Sequence, residues 1–190
     1  ARYAKGDDYH KVMKQKLHRT LSWLQEQCPS LQGRVAVDSA PVLEKQLATL
    51  AGIGWQGKHS NIITQTHGSW VLLGQLFLTQ LFEDAPGPEP VANFCGTCQR
   101  CITACPTQAI VEPYVVDANR CIAYWTIEHK GPTLPQEIAD QLNGWVFGCD
   151  ICQEVCPWNN KRAQPTTEAR FLPRLWNRVP QLATLLALTP

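Results

Sequence analysis

The chain of 190 residues predicts an α+β protein made of modules, on three observations. Helical and short strand patterns alternate through the first half, a proline- and glycine-rich stretch interrupts them, and eight cysteines in two groups, each ending in Cys-Pro, occupy the segment beyond. A chain of this length buries one good core, or a core with a small satellite. The expected boundaries are 1–84 for an α/β unit, 85–160 for the cysteine-bearing unit and 161–190 for the beginning of a helical region.

Residues from about Asp8 to Gln27 predict an amphipathic helix, because Leu17, Leu21 and Leu24 recur at steps of three and four with Lys and Arg between them. Cys28-Pro29 should end it, since the residue before proline avoids the helical region. Arg34 to Val37 reads as a short buried strand, turning at Asp38-Ser39-Ala40-Pro41 into a second helix that carries Leu43, Leu47 and Leu50 and stops at Gly52. Gly52 to His59 is too rich in glycine for regular structure, and offers backbone that a large ligand can approach closely. Asn61 to Gln65 and Trp70 to Leu78 predict two strands joined by a turn at Thr66-His67-Gly68. The stretch from Glu83 to Pro90 is a linker. Helices are expected beyond Phe171-Leu172-Pro173, and an apolar helical pattern begins at Leu182, Leu185 and Leu186. The chain lacks an initiator Met and stops inside that pattern, so a piece of a longer protein is expected.

The cysteines carry the chemistry. Cys95, Cys98, Cys101 and Cys105-Pro106 spell C-x-x-C-x-x-C-x-x-x-C-P, and Cys149, Cys152 and Cys156-Pro157 repeat the end of that phrase with Cys121 upstream. This spacing predicts two [4Fe-4S] clusters in a ferredoxin-like unit. A short loop wraps three thiolates round one cubane, and the Cys-Pro tail starts a helix away from it, so the fourth cysteine faces the other cluster. One cluster is therefore assigned to Cys95, Cys98, Cys101 and Cys156, and the second to Cys121, Cys149, Cys152 and Cys105. Zinc sites seldom combine a three-thiolate run with Cys-Pro, and a disulfide framework suits an oxidising compartment. The ninth cysteine, Cys28, stands alone and reads as a structural thiol. No secretory or twin-arginine leader and no membrane-length apolar run is visible, which predicts a cytoplasmic protein without a membrane partner.

The net charge of +1 hides an asymmetry. Residues 1–34 carry seven Lys/Arg against three acids, residues 35–157 five against twelve, and residues 158–190 five against one. Basic ends around an acidic middle are compatible with an anionic partner such as a nucleic-acid backbone, with Arg170, Arg174 and Arg178 among the groups expected to grip it. They are equally what a pair of solvated basic helices displays.

Ala1-Arg2-Tyr3-Ala4 with Asp8-Tyr9-His10, Val37-Asp38-Ser39-Ala40-Pro41, Ala51-Gly52-Ile53-Gly54-Trp55 with Gly57-Lys58-His59, Gly68-Ser69-Trp70, Thr126-Ile127-Glu128-His129-Lys130-Gly131 and Gly148-Cys149-Asp150-Ile151-Cys152-Gln153 with Cys156-Pro157-Trp158-Asn159 together resemble the tRNA epoxyqueuosine reductases. The resemblance spans nearly the whole chain. It implies a cobalamin-dependent enzyme, related to reductive dehalogenases, that reduces epoxyqueuosine in the tRNA anticodon loop to queuosine. It further implies that 1–84 is the later part of an α/β cobalamin-binding domain and that 161–190 begins a helical repeat region. The partners it implies are tRNA carrying epoxyqueuosine and an external electron donor, with the protein a monomer.

Within that resemblance, removing the epoxide oxygen needs two electrons and a proton at the departing oxygen, a task suited to two one-electron cubanes feeding a cobalt centre. Asp38 is the candidate acid: a carboxyl at a strand end, shielded by the corrin and an apolar pocket, has its neutral form favoured by desolvation. The competing reading makes Asp38 or Ser39 the cap of the helix after Pro41. Ser60 and Ile62 through backbone groups, Trp70 and Leu73 by packing, and Cys149 with Asp150 are the candidate corrin contacts. Glu128, His129 and Lys130 are expected near the cofactor junction or the substrate opening. The rivals are another cobalamin reductase acting on a small halogenated or oxygenated molecule, and a plain two-cluster electron-transfer module that would need neither the Asp38 turn nor the glycine-rich loop.

Overall fold

The computed structural model describes residues 1–82 and 87–174, with positions 181, 183, 184 and 187 beyond them. Helix α1 runs Tyr9–Gln27, started by the Asp8 carboxylate, which accepts from the His10 amide at 2.9 Å, and ended at Cys28. It buries Val12 and Leu21 against a two-stranded antiparallel sheet of β1 (Gly33–Ala36) and β4 (Gln75–Leu78), in the register Gly33↔Leu78 to Ala36↔Gln75. A Cβ on Gly33 would collide with Leu21 and Leu78, so glycine there allows helix and sheet to meet. The mixed α+β class expected from the sequence is what forms.

Three local expectations are corrected. Helix α2 is Glu44–Leu50, later than the Pro41 turn, with Leu43 at its cap position and no side-chain cap bond, so neither Asp38 nor Ser39 caps it. The glycine-rich segment does contain a strand: β2 (Trp55–Gln56) pairs with β3 (Ile62–Ile63). The expected hairpin between 61–65 and 70–78 is reduced to a single bridge, Thr64↔Gly68, because β3 takes β2 and β4 takes β1 as partners. Residues 83–86 of the linker, and Leu182, Leu185 and Leu186, lie outside the described residues.

The cysteine-bearing segment is built from short pieces: α3 (Arg100–Ala104), the hairpin of β5 (Ile110–Glu112) and β6 (Val115–Val116), a 3-10 turn at Ala118–Arg120, a π-helical turn at Tyr124–Glu128, then α4 (Gln136–Ala139), α5 (Ile151–Glu154) and α6 (Pro157–Arg162). It is fastened to the first half by a small apolar core in which Trp55 and Ile63 pack on Cys156, with Val91, Cys95 and Trp158 around them. The Trp55 indole meets Trp158 and Phe94 edge-on, at centroid distances of 4.8 and 5.2 Å.

A buried polar knot reinforces this joint. Asn159, 6% exposed, accepts from the Ser69 amide at 2.6 Å and donates to Ser69 Oγ at 2.9 Å and to the Gln153 carbonyl at 2.7 Å, while Ser69 Oγ donates to Gln153 Oε1 at 2.9 Å. Gly68 has φ +66° and lies against Asn159, leaving no room for a side chain.

The tail returns to α1. The Asp7 amide donates to the Arg170 carbonyl, Arg174 pairs with Asp7 at 2.5 Å, and Glu168 is shared by Arg170 at 2.9 Å and Lys16 at 2.7 Å. Hydrogen bonds from Arg170 and then Lys16 hold Glu168 well below the usual carboxylate range. Arg170 and Arg174, expected to grip an anionic partner, are thus engaged within the chain, and Arg178 lies outside the described residues.

The knot yields a stability test. Asn159→Ala takes the partner from the buried Ser69 amide and from the Gln153 carbonyl, and Gly68→Ala adds both a collision and left-handed strain, so each is expected to cost about 2 kcal/mol or more. Gly87→Ala, whose Cβ meets nothing within 4 Å, is expected to change stability by less than about 0.5 kcal/mol. Urea denaturation of the cluster-loaded protein checks all three, and equal midpoints would remove the knot from any role in the joint.

Candidate functional site

All nine cysteines are free, and eight fall into two groups. The Cys156 thiol senses Cys95 and Cys98, and the Cys101 thiol senses Cys95 and Cys156, whereas Cys149 senses Cys121 and Cys105. The fourth member of each group therefore comes from the other sequence motif. Local structure explains half of this as expected: Cys156 sits at the N-cap of α6 with Pro157 in its first turn, so the chain leaves the group as a helix. Cys105 instead closes α3 and leads through a turn to β5, with its sulfur accepting from the Ala109 amide at 3.2 Å.

Cys95, Cys98, Cys101 and Cys156 line a hollow of about 140 Å³ together with Lys58, His59, Ile63, Phe94, Arg100, Pro157 and Trp158. A zinc ion would need its thiolates at about 2.3 Å from one point. Among the described residues no three Cys, His, Asp or Glu side chains converge on such a point. Four sulfurs spread round a hollow fit a cluster with its own sulfide. In the second group burial, then the neighbouring thiols, push the Cys152 thiol up to about 12, so ionised sulfur there needs a cation such as iron beside it.

Asp38 stands at the end of β1 with φ +44°, a left-handed conformation that Asp and Asn accept more readily than other side chains. Its carboxylate, 54% exposed, meets His10 Nε2 at 3.0 Å, and His10 Nδ1 meets Asp8 at 2.9 Å. Both ring nitrogens face carboxylates, an arrangement satisfied on both sides only when each carries a proton. Burial opposes the charged ring, yet the bonds to Asp38 and Asp8 raise His10 above its ordinary value. For Asp38, burial pulls upward, but bonds from Tyr9 and His10 hold the carboxyl below its ordinary value. Within the chain itself the proton of this pair therefore rests on His10. The Tyr9 phenol is pushed up by burial and then by Asp38, and so stays a donor. Asp8, Tyr9 and His10 were visible as a motif, but their partner lies far along the chain and no local spacing announces it.

The remaining candidates divide. Ser60 sits in a left-handed turn, φ +64°, with its amide on the Gly57 carbonyl. Ile62 is 3% exposed within β3, so its side chain is spent on the core. Trp70 is half-buried with the Arg2 guanidinium 4.6 Å over its ring, and Leu73 is half-buried on the way to β4. Asp150, 5% exposed, accepts from the Arg2 amide at 2.6 Å, a carboxylate already used in holding the first residues. Arg2 thus brings Trp70 and Asp150 to one corner. Tyr3 stands beside it, sensing Glu128, Asp38 and Asp150 and touching Tyr9 and Phe147 edge-on. The Cys149 group consequently borders the Asp38 corner, and the Cys156 group lies toward Trp55. The His129 ring lies 4.5 Å from that of Trp125, tilted by 54°.

Residues 94–159 match the family model described as a 4Fe-4S double cluster binding domain, and residues 1–39 match that of epoxyqueuosine reductase QueG, DUF1730. Among curated proteins, the epoxyqueuosine reductase of Synechocystis sp. is 52% identical over 189 residues, covering 100% of this chain and 64% of its own length. That of Synechococcus sp. is 51% identical, covering 93% of the chain and 53% of its own length. That of Escherichia coli is 47% identical, covering 98% and 48%. Two solved epoxyqueuosine reductase structures superpose on 100% of this chain at 32% identity. One is a selenomethionine-labelled crystal structure with TM-score 0.92, of which the chain covers 49%. The other has an epoxyqueuosine-modified tRNA-Tyr stem loop, TM-score 0.91 and 48%. The chain thus spans about half to two thirds of the length of its relatives, and it belongs to the epoxyqueuosine reductase family.

Proposed function

We propose that the complete protein reduces epoxyqueuosine to queuosine in the tRNA anticodon loop, using cobalamin fed by two [4Fe-4S] clusters. In this reading 1–84 is the later part of a cobalamin-binding unit, 85–160 the two-cluster unit and 161–190 the start of a helical repeat region. The protein works as a cytoplasmic monomer with an external one-electron donor; among the described residues no helix is long and apolar enough to cross a membrane. The observation that supports the reading best is a proton-bearing pair, Asp38 and His10, beside the corner that holds the Cys149 group.

The fit of a corrin to this edge rests on Gln75. Its partner in the sheet is Ala36, so it belongs to the same sheet end as Asp38, and its buried Oε1 has no hydrogen-bond partner among the described residues. A peripheral amide N–H of cobalamin is the donor such an oxygen lacks. Gln75, the backbone at Ser60 and the half-buried Trp70 and Leu73 would hold the group; Ile62 and Asp150 would not do so by side chain. Bound there, cobalamin supplies the low-valent cobalt chemistry that breaks the C–O bond, and the clusters supply single electrons. The chain's own task is the proton. His10 delivers its Nε2 proton to the Asp38 carboxylate, which, exposed at the strand end, hands it on to the departing oxygen, leaving His10 neutral; Asp8 holds the ring in register.

Asp38→Asn keeps a residue that tolerates the left-handed backbone and removes the acid, so turnover of an epoxyqueuosine-bearing stem loop by the full-length protein should fall about a hundredfold with cobalamin and iron retained. Turnover near wild type would leave Asp38 outside the chemistry.

The direction of the His10 shift gives a pH prediction. Because its value is raised, the pairing is complete below the ordinary 6.5 and is lost as pH rises through the folded value; the lowered Asp38 loses its share only as pH falls below 3.8. Turnover should decline on the alkaline side of the His10 titration, and His10→Gln should be roughly tenfold slower with that limb gone. An unchanged limb in His10→Gln would assign the titration elsewhere.

Crossed ligation is tested by Cys156→Ser. Electron paramagnetic resonance of the anaerobic variant should show the signal of the Cys95, Cys98 and Cys101 cluster altered and that of the Cys149 cluster kept. Selective loss of the Cys149 signal would reverse the assignment.

A further inference from the structure

Lys58 and His59 are adjacent, 8% and 4% exposed, and both line the hollow formed with Cys95, Cys98, Cys101 and Cys156. The Lys58 ammonium donates to the Gly96 carbonyl at 2.7 Å and the Cys98 carbonyl at 2.9 Å, two oxygens of the ligand loop, and among the described residues it pairs with no carboxylate. His59 Nδ1 accepts from the Asn61 amide at 3.2 Å, which fixes the ring proton on Nε2. That Nε2 is buried with no partner among the described residues. A buried N–H without an acceptor is costly, and the hollow is where an acceptor would stand. The other group has the opposite surroundings: the buried carboxylate of Asp150 adjoins Cys149.

We propose that His59 and Lys58 set the reduction potential of the cluster held by Cys95, Cys98, Cys101 and Cys156, His59 by donating a hydrogen bond to a cluster sulfur and Lys58 by its unneutralised charge. Taking one electron from a low-potential one-electron carrier breaks no bond and adds one negative charge to the cluster. A fixed N–H dipole and a nearby cation stabilise that added charge, while Asp150 opposes it at the other cluster. The cluster beside His59 is therefore reduced first and acts as the reservoir from which the Cys149 cluster, on the Asp38 side, is filled. This rests on the double-cluster reading.

The test is a potentiometric titration of the full-length, cluster-loaded protein under anaerobic conditions, followed by electron paramagnetic resonance, with Cys156→Ser identifying the signal. His59→Phe keeps the ring and removes the N–H. At fixed potential the ratio of reduced to oxidised cluster should fall about tenfold at this cluster, equivalent to about 59 mV for one electron, and stay within about twofold at the other. His59→Gln, which returns an N–H at similar reach, should recover most of the shift, and Lys58→Met should move the same cluster in the same direction. Unchanged potentials in His59→Phe and Lys58→Met at wild-type iron content would overturn the proposal, as would a shift confined to the Cys149 cluster. Iron near zero in the wild-type protein would instead overturn the cluster reading on which it stands.

Discussion

Eight cysteines gathered within residues 94–159, the segment that matches a 4Fe-4S double cluster binding domain, are the constraint round which the rest of the architecture is arranged. Neither half of the cysteine segment has a core of its own worth the name: its helices are one or two turns long, and its largest buried anchor, Ile122, is a single side chain. Short elements of this kind do not hold together by apolar burial alone. One apolar contact at Cys156 and one polar knot at Asn159 tie them back to the strands and loops of the first half, and the proposed ligation across the two motifs would fix the rest. The seam between the halves is consequently also a wall of the first cluster.

The second organising element is electrostatic and is placed away from that wall. His10 bridges Asp8, at the start of α1, to Asp38, at the end of β1, so the imidazolium ties a helix to a strand edge while it stores a proton. A charged trio of this kind on a partly open edge gains little as a structural clamp, because water competes for each member. The upward shift of His10, with a carboxylate on each ring nitrogen, is the property that distinguishes it from an ordinary surface pair. Tyr9 and Tyr3 extend the polar edge toward Asp150, so the His10 trio and the Cys149 group share a border without sharing residues.

Ligand spacing is local, and for that reason the double-cluster unit was legible before any coordinates. Helix α1 was legible for a similar reason, since leucines at regular steps mark one face. The errors arose where pairing is decided at a distance. Trp55-Gln56 looked too glycine-flanked to be a strand, yet Ile62-Ile63 pairs with it, and this deprives the Thr66 turn of its hairpin. Leu43 and Leu50 suggested a helix face turned to a core, but they are 69% and 72% exposed, and the helix starts only after Leu43. The partners of Asp38, Tyr9 and His10, were out of sight for the same reason, because they precede it by some thirty positions along the chain. Lys58 and His59 belonged to a recognisable motif, but only packing reveals that both side chains are enclosed.

The proposed crossed ligation has a consequence for how such a protein ages. Cys101 lies on α3 and Cys105 at its end, while Cys152 lies on α5 and Cys156 at the N-cap of α6, and in that ligation each pair is divided between the two clusters. Oxygen that strips iron from either cluster then frees sulfurs in both motifs, and the intact neighbour is held by loops that have lost half their restraint. Damage is therefore shared: the two centres should disappear together rather than in turn, repair has to rebuild both, and a half-loaded molecule is a short-lived species rather than a resting form.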